Sequence, residues 1–461
     1  MKLNGYLTIF LSLSLTVLLS LFFVLIRGAF VNYSKMKLEL VTDIGMNAVL
    51  GEYHRELLNQ YDLLFIDLSY GTNSGGINKL ESHLAGYINQ NLLKGKNNVS
   101  SWNGLALKGL EITETLKPHH YEGKVLKNQA SAYISENLRA ETVNDLSALL
   151  TEADSLDKLN EMVSWQNVMN KISSILAFLT NEARQQALSV NPEADVGDIN
   201  ITIDNPASDV FSNVSWQLDN LVKEDIKGGN VNLSNYYSHR NKESKSSENS
   251  PKANFMTEFN SAFLFRAYLF EKMSYHKNEK EDSLLDYQIE YLIAGASSDE
   301  ENFQGIKMRL FSWRLADNVR LYFTDSQKTK EAYAIASTVS ALILHPELTQ
   351  LIASSLLFSW AFTDSINETD KITDGGKVPL IKKSLSLTEE GLLYHQYLEL
   401  MILLTGEAKV LSRAMDIIEM DIRLTPNNQN FQIDFCLEAF RATVEFHDRY
   451  ENYLLDRRYG Y

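Results

Sequence analysis

The stretch Leu7 to Ile26, LTIFLSLSLTVLLSLFFVLI, carries no charge and directly follows the short leader Met1-Lys2-Leu3-Asn4-Gly5. A run of about 20 apolar residues is long enough to cross a bilayer as a helix. Within it Thr8, Ser12, Thr16 and Ser20 recur at every fourth position, which stacks four small hydroxyl side chains along one helical face and leaves Leu, Ile and Phe on the rest. Such a face lets two helix backbones approach closely in lipid, where packing has to do what the hydrophobic effect does in water. The competing use of the same hydroxyls is to bond back to carbonyls of their own helix. As a cleavable secretory signal the segment fits poorly. Its apolar part exceeds the ~7 to 15 residues of a signal core, and the first small residue suited to cutting, Ala29, has Arg27 at its −3 position. The expectation is a retained anchor over residues 6–27.

Beyond Arg27 and Gly28 the helical pattern does not stop. Leu38, Val41, Ile44 and Ala48 continue at spacings of three and four, with polar residues on the opposite face through Glu52 and Glu56. One helix from Leu7 to about Tyr61, roughly 80 Å long at 1.5 Å per residue, is predicted, with Gly45 and Gly51 as its weak points.

The remaining sequence reads as an ordinary water-soluble fold. With 44% hydrophobic and 22% charged residues in 461, there is ample material for a core and for two or three domains. The formal charge of −16 argues against nucleic acid as a partner, because phosphate binding needs a basic footprint. The single cysteine, Cys436, excludes an intramolecular disulfide and any multi-cysteine metal site, and its neighbours Phe435, Leu437 and Phe440 make it a small buried hydrophobe. An exported chain without disulfides is compatible with a Gram-positive cell surface. The basic residues Arg27, Lys35 and Lys37 after the apolar run outnumber Lys2 before it, a lean toward a cytoplasmic bulk.

Segment by segment, Asp62 to Leu68 reads as a strand or buried turn before the breaker Tyr70-Gly71-Thr72-Asn73-Ser74-Gly75-Gly76, and Leu105, Leu107, Leu110 and Ile112 alternate around Lys108-Gly109 like a short hairpin. Ile199, Ile201 and Ile203 alternate as a strand. Residues 129–186 are helical in period, through Leu146, Leu149, Leu150, Met162, Trp165, Val168, Met169 and Ile172. The Ser-, Asn-, Lys- and Gly-rich residues 223–255 read as a flexible linker or insertion. After it the chain is expected to be almost wholly helical. Ala332 to Leu344 and Leu351 to Phe362 form a core hairpin about His345-Pro346, Gly406 closes a helix that starts near Gly391, and Leu411, Ala414, Met415, Ile418 and Ile422 line one face. The fold class is therefore mainly α (α+β). Its parts are a leader at 1–5, the transmembrane helix at 6–27, a membrane-proximal α+β domain at 28–222, the linker at 223–255 and a helical domain at 256–461.

No constellation for catalysis emerges. There is no phosphate-cradling glycine loop, G-x-S-x-G elbow or H-E-x-x-H. Glu52-Tyr53-His54-Arg55-Glu56 brings acid and base types together, but successive helical residues point in different directions. His119-His120 sit in a turn after Pro118, and Asn278-Glu279-Lys280-Glu281-Asp282 is a solvated charge run. Asp364, Asn367, Asp370 and Asp374 gather oxygen ligands, though not at the spacing of a calcium loop, and read as a charged helix end. No enzyme, metal or cofactor is expected.

Several blocks resemble a family of unknown function encoded with tight-adherence-type pilus machinery in Gram-positive anaerobes. They are Gly5-Tyr6-Leu7-Thr8-Ile9-Phe10-Leu11, Glu52 to Leu58 with Gln60 to Asp67, Asp286 to Gly295, Gly375 to Leu380, Gly391 to Tyr394 with Tyr397-Leu398, and Arg413 to Glu419. The middle of the chain, about 155 to 255, carries none of this resemblance. The resemblance implies a pilin-like or pseudopilin-like, single-pass protein of the cell membrane, with a cytoplasmic leader and an extracytoplasmic bulk, against the lean of the charges. It implies processing between Gly5 and Tyr6. Phe10 stands where proteins of this type carry a Glu that registers the subunit in its assembly. The functional expectation is an accessory or minor pilin-like component whose Thr8, Ser12, Thr16 and Ser20 pack against other pilin-like or pilus-assembly helices. The alternative is an anchored surface receptor or adhesin with an external ligand.

Overall fold

The computed structural model describes residues 4–93, 104–137, 151–158, 181, 185, 188–189, 228–240, 255–280, 283–382, 391–448 and 451–461. The strand expected at Ile199 to Ile203, the helix through Met162 to Ile172 and the Ser-rich stretch 243–252 lie outside them. The chain is mainly helical with small antiparallel sheets, as its pattern predicts. It divides into two compact units. The first comprises residues 1–130, 241–251 and 422–461, and the second residues 131–240 and 252–421.

The first unit is built on α1, Asn4–Leu50, a continuous helix of 47 residues and about 70 Å at 1.5 Å per residue. Its early half lies fully open, with Leu11, Leu15, Phe22 and Leu25 exposed, whereas Leu38, Val41, Met46 and Val49 are buried in a core. Gly45 does not break the helix. A Cβ there would come within 3.0 Å of Ile88 and 3.2 Å of Leu84, so the glycine admits α3, Ile77–Leu93, against α1.

The predicted single helix to Tyr61 stops at Leu50, because Tyr53 leaves it to bridge Ile66 and the His54 amide donates to the Phe65 carbonyl at 2.8 Å. A new helix, α2, Arg55–Tyr61, is then capped by His54, whose Nδ1 accepts from the Leu57 amide at 3.3 Å. Its other ring nitrogen meets Asn428 Oδ1 at 3.1 Å. That pairing fixes the ring as Nε2–H donor and Nδ1 acceptor.

A three-stranded antiparallel sheet in the order β2-β4-β5 completes this unit, from β2 (Ala106–Leu116), β4 (Ala439–His447) and β5 (Asn452–Gly460), alongside the short pair β1 (Ile66–Asp67) and β3 (Cys436–Leu437). The expected hairpin around Lys108-Gly109 is one strand. β4 runs beside all of β2, and Gly109 sits at a bulge in that pairing. The expectation of helix to the end of the chain is likewise corrected. Phe440, Ala442, Val444 and Phe446 point into the core and alternate with partly exposed Arg441, Thr443 and Glu445, a period of two that only a strand satisfies. Cys436 is fully buried on β3, as its neighbours predict.

The second unit is helical: α5 (Phe255–Lys272), α6 (Gln288–Ala294), α7 (Asp299–Thr324), α8 (Ser326–Leu342), α9 (Thr349–Thr373), α10 (Tyr394–Leu404) and α11, whose full span is Glu407–Leu424, with α4 (Lys124–Asn137) entering from the first unit's sequence. The predicted hairpin is α8 against α9, with Ala332, Ala336, Val339, Ile352, Ala353 and Leu356 between them. Leu411, Ala414, Met415 and Ile418 form the buried face of α11, and Gly406 lies just past α10, both as read from the sequence.

Residues 228–240, inside the stretch read as a flexible linker, are ordered by specific contacts of this unit. The Asp299 carboxylate, at the start of α7, accepts from the amides of Gly229 at 2.7 Å, Asp286 at 2.8 Å and Tyr287 at 3.0 Å. Three segments therefore close on one buried side chain. Gly229 is as tightly held, since a Cβ there would stand 1.7 Å from the Leu284 carbonyl oxygen. Gly229→Ala is expected to lower stability by about 1–3 kcal/mol, the usual range for overpacking. Urea denaturation of the variant checks this.

Candidate functional site: a two-faced helix and a buried charge network

Two places in the described residues concentrate features that a simple hydrophobic core does not need. The first is α1. Set at 100° per residue, Leu38, Val41, Thr42, Gly45 and Val49 share the side that packs on the sheet and α3, while Tyr33, Met36, Leu40 and Ile44 share the opposite side. Those four are exposed, Met36 at 64% and Leu40 at 58%. An amphipathic surface helix would carry charge there. Lys37 and Asn47 are the polar residues on that side, and at its flank Arg457 of β5 pairs with Glu39 at 3.3 Å and Asp43 at 3.9 Å.

Along the N-terminal half, Thr8, Ser12, Thr16 and Ser20 are exposed. The Ser12 hydroxyl donates to the Ile9 carbonyl at 2.9 Å, Thr16 to Ser12 at 2.7 Å and Ser20 to Val17 at 2.8 Å. Back-bonded hydroxyls keep their polar hydrogens inside the helix, which leaves small, nearly apolar bumps on that face. Tyr6 is exposed at the start of the helix, one residue after Gly5. The helix is long and apolar enough to cross a membrane.

Glu52, just past the end of α1, accepts from Tyr70 Oη at 2.8 Å, Tyr87 Oη at 2.7 Å and His83 Nδ1 at 3.0 Å. Burial, then the bond to Glu52, drives the Tyr70 phenol far above its usual range. A carboxylate so fully engaged anchors the loop after β1 to the end of α1. His119 and His120 meet edge to face at 5.0 Å in the turn predicted for them.

The second place is the interior of the helical unit. Arg314, on α7, is completely buried. Its Nε donates to Glu368 at 2.8 Å, Nη1 to the carbonyls of Pro379 at 2.9 Å and Leu380 at 2.7 Å, and Nη2 to Asp317 at 2.9 Å. Burial alone would lower this guanidinium's pKa. The neighbouring Tyr397, Glu368 and Asp317 reverse that and hold it above its ordinary value. Asp317 also receives Arg320 at 2.7 Å and the Lys382 amide at 3.0 Å. On α11, Asp416 accepts from Tyr291 Oη at 2.7 Å and the Ser238 amide at 2.7 Å, while Glu419 accepts from Nη1 and Nη2 of Arg240 at 2.8 and 2.5 Å.

Glu290 of α6 is fully buried, and its Oε1 accepts from the His276 amide at 2.9 Å and Tyr394 Oη at 2.8 Å. Its Oε2 has no hydrogen-bond partner among the described residues. Desolvation pushes this carboxyl up to about 7, against the pull of those two donors.

The sequence reading missed these groups. Glu290, Arg314 and Glu419 sit in apolar periodic runs, and a charge at a core position of such a run is the signal that was available. The oxygen ligands weighed as a metal site are used otherwise. Asp364 accepts from Tyr322 Oη at 2.5 Å, Asp370 pairs with Lys307 at 3.4 Å and Asp374 closes the end of α9.

No curated protein and no solved structure matches the chain. Residues 203–448 match the model of a family of unknown function, DUF5702. The blocks noted at 286–295, 375–380, 391–398 and 413–419 fall within that span, and those at 5–11 and 52–67 fall outside it. The span also starts well inside the stretch 155–255, which was read as carrying no family resemblance. The match includes Gly229, Arg240, Asp299, Arg314 and Glu419, the residues that tie the helical unit together, and it covers more than half of the chain; the protein is a member of DUF5702.

Proposed function

We propose that the protein is a single-pass, membrane-anchored accessory component of a tight-adherence-type pilus or secretion apparatus, with its bulk on the extracytoplasmic side. The observation that carries this reading is the second half of α1, apolar on its packed side and carrying an apolar stripe on its exposed one. One side is already satisfied by the head, and the other presents Tyr33, Met36, Leu40 and Ile44 as the continuation of a helix able to span a bilayer. An ordered apolar stripe of this kind in water marks a contact surface, and its helical form suits other helices.

Thr8, Ser12, Thr16 and Ser20 extend the contact into the membrane, where small side chains favour close approach. The block resemblance at Gly5 to Leu11 supplies the link to pilus machinery and the processing position between Gly5 and Tyr6. With Phe10 in place of the registering Glu, the helix packs beside the filament or its assembly platform.

Photo-crosslinkers placed at Ser12 and Leu40 are expected to capture pilus-assembly proteins, and deletion of the gene is expected to abolish pilus assembly. Intact assembly in the deletion strain overturns the reading. Met36→Glu together with Ile44→Glu should eliminate the Leu40 crosslink. Head stability should change by no more than about 0.5 kcal/mol, as for exposed positions in general.

A further inference from the structure

We propose that Lys382 and Asn318 form an intramolecular isopeptide bond, made by the protein on itself, with Glu368 carrying the protons. Three side chains from separate segments meet at one point. Asn318 lies in α7 and is fully buried, Glu368 lies in α9, and Lys382 follows α9 in sequence. Lys382 Nζ donates to Asn318 Oδ1 at 2.7 Å. The same ammonium contacts Glu368 Oε1. Glu368 Oε2, in turn, accepts from Asn318 Nδ2 at 3.2 Å.

One carboxylate thus touches the nucleophile with one oxygen and the leaving nitrogen with the other. Two neighbours hold this arrangement. Ser365 Oγ takes the amide nitrogen of Asn318 at 3.0 Å, which turns the amide oxygen toward Lys382. Arg314 Nε fixes Glu368 Oε2 at 2.8 Å.

The chemistry needs nothing from outside. Glu368 takes a proton from the ammonium, and the free Nζ amine attacks Cγ of Asn318 to form a C–N bond. Glu368 gives that proton to Nδ2, takes a second from Nζ and passes it on as the Cγ–Nδ2 bond breaks. An amide remains between the two side chains and ammonium leaves, so charge and atoms balance. Holding amine and amide in contact replaces a bimolecular encounter by an intramolecular one, and the positioned carboxylate adds general acid–base catalysis.

The bond would close residues 318–382 into a covalent loop and limit the unfolded chain as a disulfide does. It would do so in a protein whose single cysteine leaves that option unused. Arg314 keeps Glu368 paired after the ammonium's charge is gone.

Peptide mapping of the full-length protein by mass spectrometry tests the assignment. The expected result is a branched pair joining the peptides that carry Asn318 and Lys382, lighter than their sum by one ammonia. It should be absent in Lys382→Arg and Asn318→Ala and strongly reduced in Glu368→Gln. Recovery of the two wild-type peptides separately at their sequence masses overturns the proposal. A branched pair joining Lys382 to a different asparagine also overturns it. The decisive measurement is on the wild-type chain, so a variant that fails to fold leaves the test intact.

Discussion

Arg314→Met is expected to lower the unfolding free energy of the helical unit by about 3–5 kcal/mol, the range found when one partner of a buried ion pair is removed. The magnitude follows from what is left behind. Arg314 supplies donors to Glu368, Asp317 and the carbonyls of Pro379 and Leu380, all around a side chain with no solvent exposure. Methionine fills most of the volume but donates nothing, so two carboxylates lose a buried cation and two carbonyls lose their hydrogen bonds. Arg320 still reaches Asp317, which keeps the loss below that of two fully abandoned charges. Arg314→Lys is expected to fall between wild type and Arg314→Met, because one ammonium cannot reproduce a planar fork with separate donors for each acceptor. Chemical denaturation followed by far-UV circular dichroism measures both. Equal stability of wild type and Arg314→Met refutes the account.

The second large effect is on pH dependence. Glu290 has a folded pKa of about 7 against an ordinary 4.5, so between those values the folded state holds a proton that the unfolded state has released. Stability from this residue is therefore greatest below pH 4.5 and falls as pH rises through 7. The difference corresponds to on the order of 3 kcal/mol. Asp299, Asp416 and Glu399 are shifted upward by burial too, and each acts with the same sign. Unfolding free energies of the full-length protein are expected to be higher at pH 5 than at pH 8. Glu290→Gln, which cannot ionise but still offers an oxygen to the His276 amide and Tyr394, should flatten that slope. An unchanged slope in the variant shows that Glu290 does not titrate in this range.

The long apolar helix, the α8–α9 hairpin and the buried face of α11 were legible because each is written in consecutive residues, as an unbroken apolar run or a repeat of three and four. What escaped the sequence has a common physical cause: it depends on residues far apart in the chain. β2 gives no sign that its partner is β4, more than 300 residues away, so Lys108-Gly109 looked like a local turn. Alternation in residues 439–447 was present, but short apolar runs suit either element until the partner strand is known. Tyr53 looked like one more helical position because its bridge to Ile66 depends on how the chain returns. Dividing the chain at 223–255 followed composition, whereas the compact units gather 422–461 with 1–130. The candidate site divides the same way. The stripe on α1 was half visible in its spacing, but that Asn318, Glu368 and Lys382 meet could not be read from three positions on separate segments.

The pairing of β2 with β4 also dictates an order of events during synthesis. Ala106 opposes His447 and Leu116 opposes Ala439, so when the ribosome has released β2 its partner does not yet exist. α1 and α3 emerge first and can pack on each other, while the part of α1 that meets β5 still has nothing to cover it. Every contact of the helical unit's α7, α8 and α9 with one another can form while the sheet is still waiting. The sheet unit is thus the last to mature, by a slow closure over a long sequence separation. A chain stalled or truncated before residue 439 would leave the core that Leu38, Val41, Met46 and Val49 share with α3 and the sheet incompletely covered, a surface that a quality-control protease or chaperone would meet.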